Sequence, residues 1–152
     1  TPLPTLFPYT TLFRSGNWKV TYQGTDNWDG AVIETGYYQL GTITVNGPFS
    51  ATSGWNTQTI VEPVVDADGT RCVKAGDTVK FTIEFNAPTA FDYAEFSKYN
   101  FTLPAGSAAT SVKAELTTVG TATEEPVVTV TVILGNTLVD GQSITVDTAA
   151  IA

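Results

Sequence analysis

Residues 78–85 read TVKFTIEF, and this stretch decides the fold of the chain. Apolar residues occupy every second position, and polar or charged residues occupy the positions between them. Because successive side chains of a strand point to opposite faces, the alternation predicts a β-strand with one buried face and one wet face. Val79, Phe81, Ile83 and Phe85 form the expected buried face.

The same period of two recurs on both sides of this stretch. It predicts strands over residues 110–119, 127–134 and 142–147, and further strands are expected at 18–22, 37–45 and 57–65. Pro63 makes the 57–65 segment either an edge strand or a bulged strand, because proline cannot donate to a strand ladder. The predicted core consists of Val79, Phe81, Ile83, Phe85, Val112, Leu116, Val128, Val130, Val132, Ile144 and Val146.

Short turn signals separate these segments. Asn46-Gly47, Gly76-Asp77 and Asp140-Gly141 are dipeptides that accept the backbone conformations of tight turns. Only residues 90–99 have a pattern that suits a helical turn or two, and the alternative for them is a long loop between strands. Because no predicted helix is long enough to cover a sheet, the economical architecture is all-β, with one sheet packed on another in an antiparallel β-sandwich of about seven to nine strands.

One motif carries a resemblance to a known family. Residues 74–88, KAGDTVKFTIEFNAP, resemble the Gly-Asp turn and alternating strand of bacterial surface immunoglobulin-like repeats. Residues 99–104, YNFTLP, stand where such repeats begin a later strand, and the resemblance covers roughly residues 43–147. It implies an immunoglobulin-like sandwich in an extracellular or cell-surface protein. The chain differs from antibody-type domains in lacking paired cysteines and a tryptophan in the central strand.

The first residues of the chain differ from the rest. Residues 5–15, TLFPYTTLFRS, resemble the direct translation of a widely used sequencing adapter. We therefore expect residues 1–15 to be a disordered assembly artefact, and the chain to be a fragment of a longer protein. The alternative is a Pro-rich aromatic arm. Residues 16–152 are expected to form one domain, in which 16–42 are either its first strands or the tail of a preceding module.

Composition excludes several classes of function. The 152 residues include no histidine and one cysteine, Cys72, which argues against imidazole-based catalysis, histidine-ligated metals and an internal disulfide. Fifteen acidic and seven basic residues give a net charge of −8, which disfavours binding to nucleic acid. No apolar run approaches the ~20 residues of a membrane span, so none is expected in this fragment.

Two acidic turns are candidates for a Ca²⁺ site. Asp26 and Asp29 lie in TDNWDG, and Asp66 and Asp68 lie in DADG. Ca²⁺ prefers several oxygen ligands in such loops. The alternative is that aspartate favours turns because its side chain bonds the nearby backbone, and no downstream glutamate completes a calcium-loop motif. Apart from this possible Ca²⁺, no cofactor is expected.

Aromatic residues offer a second candidate site. Trp28 and Trp55 lie in polar, Gly-flanked segments, and Tyr38 lies in a predicted strand. Exposed aromatic rings stack on sugars, whereas buried ones plug the open end of a sandwich, and both interpretations remain open.

These patterns favour a protein that is not an enzyme. The chain is expected to be an immunoglobulin-like module of a larger bacterial surface protein, such as an adhesin, an S-layer protein or a fibre, acting as spacer and interaction domain. Its expected partners are neighbouring domains of the same chain, or a cell-surface protein or glycan. The alternative is an accessory carbohydrate-binding domain of a secreted glycan-active enzyme.

Overall fold

The computed structural model describes residues 18–22, 31–35, 37–51, 58–61 and 72–151. Within them lie ten strands and one short helix. In chain order these are β1 Trp18–Tyr22, β2 Ala31–Thr35, β3 Tyr37–Asn46, β4 Gln58–Val61, β5 Cys72–Lys74, β6 Thr78–Phe85, α1 Tyr93–Phe96, β7 Tyr99–Thr102, β8 Ala109–Thr118, β9 Val127–Leu134 and β10 Gln142–Ala150.

The strands form two four-stranded sheets and one two-stranded sheet. The first sheet has the order β5-β3-β10-β7, and the second has the order β4-β6-β9-β8. Strands β1 and β2 pair with each other in a separate antiparallel ribbon. The predicted all-β class is therefore confirmed, and residues from both four-stranded sheets meet in one hydrophobic core.

The second sheet is antiparallel throughout. Phe81 pairs with Val130 and Ile83 pairs with Val128, so that the apolar positions of β6 and β9 share one face. Val128 and Val130 are fully buried, and the four apolar residues of β6 are at most 2% exposed. Strand β4 lies at the edge of this sheet, as the nearby proline predicts.

The first sheet contains a parallel pair. Strand β10 runs antiparallel to β7 but parallel to β3. The expectation of a wholly antiparallel sandwich is wrong at this pair. About a hundred residues separate the two strands, so no hairpin sets their relative direction, and a long connection permits either.

The core contains more residues than the alternating segments alone predict. Ten of the eleven predicted core residues are buried, and Val112 is half-buried because β8 is an edge strand. The structure adds residues from β3 and from loops, including Leu40, Phe49, Phe91 and Leu138. The segment 90–99 contains the four-residue helix α1, which begins after Asp92, where the carboxylate accepts a 2.9 Å hydrogen bond from the Glu95 backbone N–H.

Candidate functional site

The parallel pair of β3 and β10 brings together the first and the last strands, in chain order, that contribute to the described core. Its register matches Leu40 with Gln142 and Asn46 with Asp147. We call residues 39–49, together with residues 140–148, the parallel seam. Leu40, Ile43 and Val45 of β3 are buried, so the seam forms part of the hydrophobic core as well as a backbone ladder.

Side chains add polar links along the exposed face of the parallel seam. The Asn46 side-chain amide donates to the Asp147 carboxylate at 2.9 Å. The hydroxyls of Thr42 and Ser143 lie 3.2 Å apart. At the start of the seam, the Asp140 carboxylate accepts from the backbone N–H of Gln39 at 3.0 Å. The two strands are thus bonded through side chains at the beginning, middle and end of their contact.

Thr148 connects the end of the parallel seam to the turn that follows β3. It is only 6% exposed, and its hydroxyl donates to the Asn46 carbonyl and accepts from the Phe49 backbone N–H at 3.5 Å. Gly47 has a φ of 89°, a conformation that favours glycine, and a Cβ there would overlap the Thr148 carbonyl. The close approach of the two backbones at this point therefore requires glycine at position 47.

Phe49 anchors the same turn in the core. The ring is fully buried, and its centroid lies 5.0 Å from that of Tyr99, 5.3 Å from Phe101, 6.0 Å from Phe91 and 6.2 Å from Phe85. Phe85 belongs to the second sheet, whereas Tyr99 and Phe101 belong to the first. The turn after β3 is therefore held between both sheets by aromatic contacts.

A cleft of about 420 Å³ lies beside the parallel seam, between β3 and β4. Its described lining includes Ile43, Val45, Gly47 and Ile60, and none of the described lining side chains is charged. The same lining includes the polar residues Thr44, Asn46 and Ser50, so the described cleft is mixed in polarity and offers no acid–base pair. Gln58 lies two residues before Ile60 in β4 and is 1% exposed. Neither polar atom of its side chain has a hydrogen-bond partner in the described structure.

Among the residues that the structure describes, two ion pairs lie on the exposed surface. Lys113 and Glu115 of β8 are 2.8 Å apart, and Lys98 and Glu95 are 2.9 Å apart. The hydrogen bond and the charge of Lys113 lower the pKa of the Glu115 carboxyl, and Glu115 in turn raises the pKa of Lys113. Glu95 raises the pKa of Lys98 in the same way. Water screens such exposed pairs, so their contribution to stability is small.

The sequence-predicted site residues are only partly covered by the structure. Tyr38 lies in β3 opposite Val73 of β5, is half-buried, and packs against the core. The other residues, Trp28, Trp55, Asp26, Asp29, Asp66 and Asp68, lie outside the described residues. The predictions of a sugar-binding aromatic group and of a Ca²⁺ site in the acidic turns therefore remain predictions. The adapter-like segment 5–15 also lies outside the described residues.

The described residues contain neither a metal-binding cluster nor a membrane-spanning helix. No group of three or more cysteine or carboxylate side chains is clustered closely enough to hold a metal ion in the part of the chain that the structure describes. Over the same residues, no helix has the length and apolar character needed to cross a membrane.

Comparison with known proteins adds no relative. No family model, curated protein or solved structure matches the chain.

Sequence reasoning did not identify the residues that organise the parallel seam. The Asn46-Gly47 dipeptide does indicate a turn, and Gly47 has the expected positive φ. However, Phe49 and Thr148 stand outside every alternating segment used to predict the core. Their importance depends on the approach of residues about a hundred positions apart, for which local sequence carries no signal.

Proposed function

We propose that the chain is a non-catalytic, extracellular immunoglobulin-like module of a larger bacterial surface protein, and that it serves as a spacer and interaction domain. The strand order supports the immunoglobulin-like assignment. An immunoglobulin sandwich has one sheet in the order A-B-E-D and a second that contains the neighbours C and F. Here β4-β6-β9-β8 follow the first order, and the adjacent strands β7 and β10 match C and F.

One departure distinguishes this chain from the standard arrangement. The last strand of an immunoglobulin domain, G, lies antiparallel beside F. The neighbour of β10 on that side is β3, which precedes the other sandwich strands in the chain and runs parallel to β10. In our proposal, β3 occupies the position of strand G.

The observation that carries the spacer function is the direction of the parallel seam. Tension on a spacer acts on the chain before β3 and on the chain after β10. Because these strands are parallel, tension pulls them in opposite directions along their common axis. All hydrogen bonds of the ladder, and the Asn46–Asp147 link beside them, are then loaded together. A pair pulled apart from one end would instead lose its bonds one at a time.

The surface of the second sheet also suits a spacer. Its outer face carries threonine and charged side chains, among them Thr78, Lys80, Glu84 and Lys113, which are exposed. The net charge of −8 favours solubility of such a surface. Contacts with partners then fall to the loops and strand edges.

Force spectroscopy on single molecules tests this proposal. The full chain is placed between marker domains and stretched from its two ends. Asn46→Ala/Asp147→Ala removes the 2.9 Å link across the parallel seam. Thr59→Ala/Asn86→Ala is the matched control, since it removes an exposed 2.8 Å side-chain link next to the second sheet.

We expect the seam variant to unfold at a clearly lower force than the unmodified chain, and the control to unfold at an unchanged force. Chemical denaturation should show similar small losses of stability for both variants, because both links are exposed. Equal forces for the seam variant and the unmodified chain would contradict the spacer function of the seam.

A further inference from the structure

The long edge of the second sheet, strand β8, differs from the other edges of the two sheets. The edge strands β5, β7 and β4 have three, four and four residues, whereas β8 has ten. Among the described residues, β8 forms a strand ladder with β9 alone. An edge of this length presents a row of backbone donors and acceptors to which another strand can pair.

Two side chains on the inner face of β8 are also incompletely buried. Val112 and Ala114 face the core and pack against it, yet both are only half-buried. Their neighbours Val132 and Val130 on β9 are completely buried. A strand added beside β8 would cover the remaining apolar surface of these two residues.

Irregularities at both ends limit the part of β8 that can pair. The register with β9 shifts between Ala109 and Ser111 and again between Leu116 and Thr118. Such bulges bend an edge strand and interrupt pairing. The regular part is therefore the six-residue segment 111–116, which we call the β8 edge.

The charges on the β8 edge select one way of pairing with a second copy. Two identical antiparallel strands related by a twofold axis place residues of the same face opposite each other. When Ala114 lies opposite Ala114, Lys113 of each copy faces Glu115 of the other. Centring the pair on Lys113 or on Glu115 instead opposes two like charges, which destabilises a cross-strand pair.

We propose that the β8 edge binds the β8 edge of a second copy of this chain, antiparallel and centred on Ala114, to form one continuous eight-stranded sheet. Val112 then faces Leu116 on the inner side, and two Lys113–Glu115 pairs form on the outer side. Six residues from each copy make a small interface, below the size of stable dimers, so the association is weak and reversible. This surface is separate from the parallel seam and does not depend on the spacer function.

Charge reversal tests the predicted register. In the proposed dimer, position 113 of each copy faces position 115 of the other. Two copies of the Lys113→Glu variant would therefore place acidic residues opposite each other at both outer positions, and two copies of the Glu115→Lys variant would place basic residues opposite each other there. Each variant alone should therefore weaken self-association by about tenfold or more. Their equimolar mixture should associate as well as the unmodified chain, because every outer position then faces its opposite charge.

The measurement is sedimentation equilibrium of the full chain with reductant, from about 10 µM to 1 mM, the range in which small interfaces associate. Lys98→Glu and Glu95→Lys are the matched controls, since they change the net charge equally at an exposed ion pair that is not on β8. Circular dichroism verifies that each variant is folded.

The expected result is dimerisation by the unmodified chain and both controls, its loss in each β8 variant, and its recovery in the mixture. Recovery on mixing distinguishes pairing between copies from loss of the Lys113–Glu115 contact within one copy, because that contact is not restored by mixing. A chain that stays monomeric throughout the range overturns the proposal. Dimers that persist in both β8 variants overturn it as well, since another surface would then be responsible.

Discussion

Replacing Phe49 tests whether the turn after β3 is an essential part of the core. Phe49 is fully buried and has four aromatic rings within 6.2 Å of its own. Removing a buried phenylalanine ring costs the transfer free energy of its atoms and leaves a cavity, so Phe49→Ala should lower the free energy of unfolding by about 3–5 kcal/mol. This is a large part of the roughly 5–15 kcal/mol that stabilises a domain.

The assay is urea denaturation followed by tryptophan fluorescence and circular dichroism, together with thermal melting. For a domain of this size, the loss corresponds to a fall in Tm of roughly 6–20 °C. Phe49→Leu retains much of the side-chain volume, so it should cost less and remain measurable if the alanine variant does not fold.

Tyr93→Ala is the control, because Tyr93 of α1 is 64% exposed. It should change the free energy of unfolding by no more than about 0.5 kcal/mol. If Phe49→Ala costs less than about 1 kcal/mol, or no more than Tyr93→Ala, Phe49 does not hold the turn in the core and the reasoning is refuted.

Three other predictions concern glycine packing, a buried amide and sugar binding. Gly76→Ala should destabilise the domain by about 1–2 kcal/mol, and Gly47→Ala should destabilise it by more. Both glycines have a positive φ, but only a Cβ at position 47 would overlap the Thr148 carbonyl. Equal losses of stability in denaturation would refute the close approach of the two backbones at Gly47. Gln58→Leu should raise the free energy of unfolding by about 1–2 kcal/mol, since it removes a buried amide without a described partner, and a loss instead would show that the amide is bonded. Soluble polysaccharides should leave the tryptophan emission of the chain unchanged, whereas quenching or a blue shift would favour the carbohydrate-binding alternative.

Strands β6 and β9 of the second sheet were predictable from sequence because their apolar residues alternate with residues on the other face. In 78–85 and 127–134, every second residue is apolar, and the burial of these residues follows directly from the pleat of a strand. The edge position of β4 was predictable from Pro63 for an equally local reason.

The parallel seam was not predictable by the same reasoning. A period of two is common to parallel and antiparallel strands, so the pattern of β10 does not indicate its direction relative to β3. Short β5 has too few residues to show a period. Phe49 lies in a turn, where no alternation marks a buried side chain. These features depend on contacts between distant parts of the chain.

The parallel seam also has a consequence for the order in which the domain folds. Asn46 and Asp147, which bond each other across it, are 101 residues apart in the chain. Contacts between such distant residues form slowly, because a long loop must close before they contribute. A chain that emerges from the ribosome with its N-terminus first holds β3 without its main partner until β10 has been made. The second sheet can assemble before that point, but the first sheet stays incomplete until β10 has been made, and so the domain reaches its final stability only after that strand has joined β3.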